Sequence, residues 1–439
     1  VTKQPQPPAS EHERETVGFR RRREKRERVA TFLQGAPLIV GLDLAKREHA
    51  AWITSKDLVP IERKLVPHTH AGVTNFLDYL ERMRAKRNFD RVIVFMEATS
   101  YFWQNVGHLL EQRGVAYRTI ATLAVDRQRE IESLTYAKSD YRDAENIARL
   151  GAGGHWLHRV LEPERLWLDL HALAIEHELL LEAETAEQLR IQAFLGMVLP
   201  EFFEDFKDAF GVTARALLRR LVAIPLPETY EAVLERARAV EGHRLYVGKI
   251  RALVGRLEAC PRFGVQRSLP SALTRIGLAL DRFETFEAQR ERIRRTLVEL
   301  YEKTSYRPVL DTIPGVVPEN HALVLGFIGD PKRYDRASCL SKLGGMEPRE
   351  NSSGEAEGSH SISHRGRTGL RSVLYRIVFG CQRGNPELAG YMTRLRKREK
   401  NPLAWHQAAM ATANKYLRLV HHLCVSNEAY DASKLGSRR

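Results

Sequence analysis

Pro37-Leu-Ile-Val-Gly-Leu-Asp43-Leu-Ala45 and, further on, Arg91-Val-Ile-Val-Phe-Met-Glu97-Ala98 decide how this chain is read. Both are unbroken apolar runs that end on a carboxylate. A run without polar alternation marks a strand buried on both faces, at the centre of a sheet covered by helices. Between the two, Glu48–Thr54 and Pro60–Val66 read as strands, and Thr74–Met83 carries Phe76, Leu77, Leu80 and Met83 at helical spacing. A helix over Tyr101–Arg113, a turn at Gly114 and a strand at Ala116–Ile120 complete the pattern of an α/β domain.

A carboxylate at the end of a buried strand is costly unless it meets a cation or a hydrogen-bond donor. Asp43 and Glu97 both stand in that position, and Lys138-Ser-Asp140-Tyr-Arg-Asp143-Ala opens a helix with two more acids. Three residues apart, Asp140 and Asp143 project from one helical face, with Cβ atoms about 5–6 Å apart. A helix laid across the two strands would bring four carboxylates together, the donor set that hard divalent ions need for phosphoryl transfer. Each acid also has a plain structural use, Asp140 as an N-cap and a strand-end Asp as a turn former. Asp126, Glu130 and Glu132 compete for the same role. The first strand reads Asp43-Leu44-Ala45, without the Asp-x-Glu of a proofreading exonuclease.

The chain has 439 residues, 43% of them hydrophobic and 28% charged, which is ample for packed cores and excludes wholesale disorder. Its 69 Lys+Arg against 55 Asp+Glu leave a formal charge of +14, which points to a polyanionic partner. No stretch approaches the roughly 18 apolar residues of a membrane span, and the Arg-rich start is no secretory signal. Cys260, Cys339, Cys381 and Cys424 are scattered, which excludes a disulfide framework and a cysteine zinc site. The composition is that of a soluble, intracellular protein facing nucleic acid.

Five segments follow: a basic flexible arm (1–30), the α/β domain (31–165), a Leu/Ala/Glu/Arg-rich helical segment (166–305), a mostly helical C-terminal domain (306–425) and a tail (426–439). The helical segment reads equally as a hairpin or coiled-coil spacer and as an ordinary helical subdomain. In the C-terminal domain, Gly344-Gly-Met-Glu-Pro-Arg349-Glu-Asn-Ser352-Ser353-Gly354 is an irregular loop. Ile362-Ser-His-Arg365-Gly-Arg367-Thr-Gly-Leu-Arg371 follows it. A loop serine among guanidinium groups is placed to attack phosphate, because those groups stabilise the transition-state charge. Ser-Ser-Gly is also a common turn. Thr312-Ile-Pro-Gly315-Val-Val-Pro reads as a glycine hairpin between helices, bringing backbone N–H groups near a DNA phosphate, or as a simple Pro-Gly turn.

As an ordered set these motifs resemble one family, the DEDD-type insertion-sequence transposases described as bridge-RNA-guided recombinases. The residues that carry the resemblance are Gly41-Leu-Asp43-Leu-Ala-Lys46, Met96-Glu97-Ala-Thr99, Lys138-Ser-Asp140-Tyr-Arg-Asp143-Ala144 and Ile313-Pro-Gly-Val316. Phe327-Ile-Gly-Asp330, Leu343-Gly-Gly-Met-Glu-Pro348, Ser352-Ser353-Gly354, Ile362-Ser363, Gly366 and Leu370-Arg371 continue it. The resemblance implies an RNase H-like, resolvase-type N-terminal domain, a helical spacer, and a C-terminal transposase domain with a helix–hairpin–helix-like element. It implies Mg²⁺ or Mn²⁺ held by Asp43, Glu97, Asp140 and Asp143, and Ser353, which abuts Gly354, as a nucleophile linked covalently to DNA. It implies as partners the element-end and target DNA, a structured noncoding guide RNA, and further copies of the chain in a dimer or tetramer. The implied location is the prokaryotic cytoplasm and nucleoid. Gly315, Arg349, Arg365, Arg367 and Arg371 are the candidate nucleic-acid contacts. Two other readings stand beside this one: a resolvase-like, metal-dependent endonuclease that uses only carboxylates and water, and a non-catalytic nucleic-acid-binding protein that keeps the scaffold.

Overall fold

The computed structural model describes residues 17–97, 102–132, 139–156, 165–240, 242, 245–259, 269–350 and 360–436. The chain divides into two compact units, Val1–Glu162 and Pro163–Arg439.

The first unit contains helix α1 (Val17–Phe32), strands β1 (Leu38–Asp43), β2 (Glu48–Thr54) and β3 (Pro60–Pro67), α2 (His70–Lys86), β4 (Val92–Glu97), α3 (Phe102–Gln112), β5 (Ala116–Ile120), α4 (Thr122–Glu132) and α5 (Asp140–Ala152). The strands form one mixed sheet in the order β3-β2-β1-β4-β5. β1, β4 and β5 run parallel, and β2 and β3 return antiparallel beside them. The two apolar runs are the central pair, as expected of strands covered on both faces. β3 is an edge strand whose Glu62, Arg63 and Lys64 discourage further pairing. The order and directions agree with the RNase H-like fold that the resemblance implied.

Helices cover both faces. α2, capped by the Thr69 hydroxyl accepting from the Gly72 N–H, buries Val73, Phe76, Leu77, Leu80 and Met83 against Leu38, Val40, Leu42, Val94 and Met96. α5 covers the other face through Ile147, Ala148 and Leu150, against Ile39, Ile93 and Phe95. Residues 17–30, expected within a flexible basic arm, are helical in α1. Its far end is anchored by aromatic packing, with Phe32 beside Phe95 and Trp156, and Arg23 pairs with Glu27 one turn along. The charge run masked a short apolar end that belongs to the core.

In the second unit, α6 (Arg165–Val198) and α11 (Leu269–Glu302), 34 residues each, run antiparallel, tied by Arg290–Glu184 at 2.5 Å and Arg282–Glu187 at 2.9 Å. At one end α7 (Phe202–Asp205), α8 (Val212–Leu221), α9 (Tyr230–Arg238) and α10 (Val247–Ala259) close a core with them around Phe202, Leu217, Leu253 and Ile276. At the other end lie α12 (Arg307–Leu310), α13 (Pro318–Ile328), α14 (Ala337–Leu343), the hairpin β6 (Pro348–Glu350) and β7 (His360–Ile362), α15 (Thr368–Gly384), α16 (Pro386–Lys397), α17 (Trp405–Ser426) and α18 (Ala432–Gly436). Trp167 and Leu170 of α6 and Leu297 and Tyr301 of α11 belong to this C-terminal core, so the two long helices and the C-terminal helices form one unit.

Candidate active site

β1 and β4 lie side by side with Leu42 opposite Met96, so Asp43 and Glu97 follow at the same level and end their strands together. Alternation fixes the side they face. Ile39, Ile93 and Phe95 pack toward α5, and Asp43 and Glu97 are in phase with them. Gly41, two residues before Asp43, is where α5 rests on the sheet. A Cβ added there would lie 2.0 Å from the Ala144 carbonyl oxygen and 2.7 Å from the Ala148 nitrogen. That close pass brings Asp143, directly before Ala144, to the face shared by Asp43 and Glu97.

Glu97 and Asp143 are nearly out of solvent, 7% and 3% exposed. Arg129 on α4 donates from Nε to Asp143 Oδ1 at 2.8 Å and from Nη1 to Asp126 Oδ1 at 3.2 Å. Burial lifts the Glu97 pKa above the ordinary carboxylate value. A hydrogen bond from the Thr122 side chain opposes that rise, the charges of Asp126 and Asp143 add to it, and Arg129 offsets them. Glu97, Asp126, Asp143 and Arg129 therefore share one electrostatic neighbourhood. Asp140, in the first turn of α5, is exposed.

Of the four expected acids, Glu97 and Asp143 come together, register sets Asp43 beside Glu97, and Asp140 stands at the solvent edge. Among the described residues, no three His, Cys, Asp or Glu side chains are close enough to hold a metal ion. The donor set nevertheless suits a hard divalent cation, because all of it is carboxylate oxygen and burial raises the Glu97 pKa, a penalty that a bound cation would offset.

Sequence reasoning missed two contributors. Asp126 stood out as a competing acid, but Arg129 did not, because its partner Asp143 comes from another helix. On the opposite face of β2, His49 Nδ1 accepts from the Ala45 N–H at 3.1 Å and His49 Nε2 lies 2.8 Å from His68 Nδ1. This pair ties down the loop that follows Asp43. Burial, aided by His68, pulls the His49 pKa down to about 4, so the ring works as a neutral acceptor.

In the second unit, Ser352 and Ser353 lie outside the described residues, and for Arg349 only the backbone, in β6, is described. The base of that hairpin is well defined. Ser363 N–H donates to the Glu347 carbonyl at 2.9 Å, His364 N–H to Gly345 at 3.0 Å and Arg367 N–H to Leu343 at 2.8 Å. The Arg371 guanidinium donates to the Gly344 carbonyl at 2.9 Å, and that of Arg367 to the Phe327 carbonyl. Both arginines thus hold backbone at the foot of the serine hairpin; Arg365 and Arg367 are both exposed, and Arg371 is half-buried. Gly315 has φ +78°, and a Cβ there would lie 2.7 Å from the Gly380 carbonyl oxygen and 3.0 Å from Gly384 Cα. Its turn rests on α15, which accounts for the glycine through packing. α12 before it is a single turn, so a full helix stands on only one side of this hairpin.

Comparison with known proteins bears on both ends of the chain. A family model described as "Transposase" matches residues 40–200, and one described as "Transposase IS116/IS110/IS902 family" matches residues 307–393. The chain carries IS110-family transposase domains. The first match spans the carboxylates, and the second spans the serine hairpin and its arginines. The family is one of DNA-transposing enzymes, and a DEDD domain typically depends on a divalent metal. The chain is also similar to the "Insertion element IS110 uncharacterized 43.6 kDa protein" of Streptomyces coelicolor (strain ATCC BAA-471 / A3(2) / M145), 28% identical over 112 residues. That similarity covers 26% of this chain and 28% of the relative's length. Among the described residues no helix is long and apolar enough to cross a membrane.

Proposed function

We propose that this chain is the transposase of an insertion sequence, and that it cuts and rejoins DNA through the carboxylate centre of its first unit and Ser353 of its second. The observation that supports the reading is the buried pair Glu97 and Asp143, with Asp43 at the level of Glu97 on the neighbouring strand, inside the segment matched by a transposase model. Asp43, Glu97 and Asp143, with Asp140 at the rim, would hold Mg²⁺ or Mn²⁺. When bound, such ions supply Lewis-acid stabilisation of charge on the phosphate being transferred.

The chain's own groups divide the remaining work. Ser353 Oγ attacks the phosphorus of one DNA strand, its proton passes to a base or to water, and one deoxyribose oxygen leaves. One phosphodiester bond forms as one breaks, so rejoining by the reverse attack needs no nucleotide cofactor. Arg367 and Arg371 fix the hairpin's foot, and exposed Arg365 and the Arg349 side chain contact DNA phosphate. Gly315 adds a backbone contact. A structured noncoding RNA guides the choice of DNA, and two or four copies assemble on it. The net charge of +14 supports a polyanionic partner.

The test is a denaturing-gel assay for covalent protein–DNA adducts, with labelled element-end DNA, the RNA transcribed from the element's flank, and Mg²⁺. Wild type is expected to give an adduct that requires metal and RNA, survives Ser352→Ala and disappears with Ser353→Ala. Metal-dependent cutting without an adduct, indifferent to both serines, would replace this reading with a resolvase-like endonuclease. Salt-sensitive DNA binding without strand breakage would leave a non-catalytic nucleic-acid-binding protein.

A further inference from the structure

We propose that Arg129 is an exchangeable counter-ion of the carboxylate centre, bound to Asp143 when no metal is present and moved onto Asp126 when a divalent cation takes Asp143. This rests on the metal-centre reading above and names the chain's own device for surviving without the metal. The argument begins with burial. Asp143 is 3% exposed and Glu97 7%, and two carboxylates held near one another away from water need a cation or a proton. Arg129 supplies the positive charge, with Nε 2.8 Å from Asp143 Oδ1. The oxygen it engages is one a metal would need.

The geometry also provides a way out. The Arg129 side chain is 29% exposed and already bonds a second acid, Asp126, three residues earlier on the same helix at 3.2 Å. The Asp126 side chain is 51% exposed, on the solvent side of α4, whereas that of Asp143 is 4% exposed. One guanidinium between an inner and an outer carboxylate gives up the inner one without losing all its partners. An exposed ion pair is worth little in itself, so Asp126 serves as a parking place more than as an anchor. Metal binding then costs the release of one charge-assisted hydrogen bond and also removes a repelling positive charge from the ligand.

Mn²⁺ alone is the probe, with free Mn²⁺ followed by electron paramagnetic resonance on the full-length chain. Arg129→Gln is expected to bind Mn²⁺ about ten-fold more tightly than wild type, the effect of deleting a unit charge at hydrogen-bonding distance from a metal ligand in a partly wet site. Arg129→Lys keeps the charge and should stay within about three-fold of wild type. Asp126→Asn should weaken binding more in the wild-type background than once Arg129 is Gln, where only the direct charge of Asp126 on the site remains to be lost; equal weakening in both backgrounds overturns the parking role. A folded Arg129→Gln that binds Mn²⁺ no more tightly than wild type would overturn the proposal and make Arg129 a fixed tie between α4 and α5. Should Arg129→Gln fail to fold, the wild-type chain decides the matter. The Arg129 Nε–H resonance, assigned by its absence from Arg129→Lys, should lose its protection from exchange on Mg²⁺ addition, and persistence at saturating Mg²⁺ overturns the exchange. Absence of saturable Mn²⁺ binding in wild type and Arg129→Gln alike would refute the metal centre itself, a result distinct from a metal site indifferent to Arg129.

Discussion

Replacing Gly41 with Ala probes the contact on which the carboxylate centre depends. The added methyl would lie 2.0 Å from the Ala144 carbonyl oxygen, about 1.4 Å inside the 3.4 Å at which ordinary contact begins. The obstructing atoms are the Ala144 oxygen and the Ala148 nitrogen of the helix backbone and the Ala148 Cβ fixed to it, so no flexible side chain gives way. The sheet cannot yield either, because Gly41 is paired on both sides, with Trp52 of β2 and Phe95 of β4. α5 must therefore lift by about 1 Å or more, which costs about 2–3 kcal/mol of overpacking. For a unit of this size that lowers its Tm by about 6–9 °C. Asp143 rides on the same turn as Ala144, so its carboxylate moves away from Asp43 and Glu97 by a similar distance. With Asp143 in the catalytic role proposed above, a displacement of that size is expected to lower turnover about 100-fold. Differential scanning calorimetry reads the first effect, and metal-dependent cleavage of element-end DNA, measured well below the variant's Tm, reads the second. A Gly41→Ala protein with wild-type Tm and wild-type cleavage would refute the placement of α5. Loss of stability with full cleavage would refute the claim that α5 positions a catalytic acid.

Three other outcomes are expected. Gly315→Ala places a methyl 2.7 Å from the Gly380 carbonyl oxygen at φ +78°, and should cost the second unit about 2 kcal/mol in urea denaturation; no change would mean that the turn is not seated on α15. Phe32→Ala should lower the first unit's stability by about 1–2 kcal/mol through lost packing on Phe95 and Trp156; no shift in thermal unfolding would mean that the end of α1 is not seated on the sheet. Glu178, between His177 and bidentate Arg376, carries an acid-sensitive tie: burial alone would raise its pKa, but the bonds to His177 and Arg376 hold it down to about 2. A depressed carboxylate contributes stability that is complete above its unfolded value of 4.5 and is lost as pH falls toward 2. Denaturation of Glu178→Gln from pH 6 to pH 3 should therefore show a shallower acid loss than wild type, and identical profiles would sink this assignment.

Most of the first unit was legible in the chain itself. The apolar runs at Leu38–Leu42 and Val92–Met96 cannot be stable anywhere except between two covering layers, so they are central strands whatever surrounds them. The period of Phe76, Leu77, Leu80 and Met83 likewise admits one helical face. Asp43 and Glu97 stood out because acids ending such strands are costly, and that cost is local. Reading residues 17–30 as part of a flexible arm left out the helix they form, because a dense Arg/Glu run hides how much of a helix's stability comes from a few apolar residues at its end. The pull of Val29 and Phe32 becomes visible only once Gly154, Phe95 and Trp156 are folded against them.

What sequence alone determined is therefore what nearest neighbours and periodicity determine: the sheet's central strands, the α2 face, the start of α5 at Asp140 and the basic charge. The tertiary structure decided everything that depends on distant parts of the chain meeting. It singled out Asp143 as the buried member of its pair and left Asp140 exposed, because α5 rests on Gly41 one residue beyond Asp143. It gave Asp143 an Arg129 partner from another helix. It also tied Arg367 and Arg371 to the Phe327 and Gly344 carbonyls, contacts between segments whose separation in sequence carries no periodic signal. Burial, and with it the pKa of Glu97, arises from that three-dimensional enclosure; the residues within a few positions of an acid do not determine whether water reaches it.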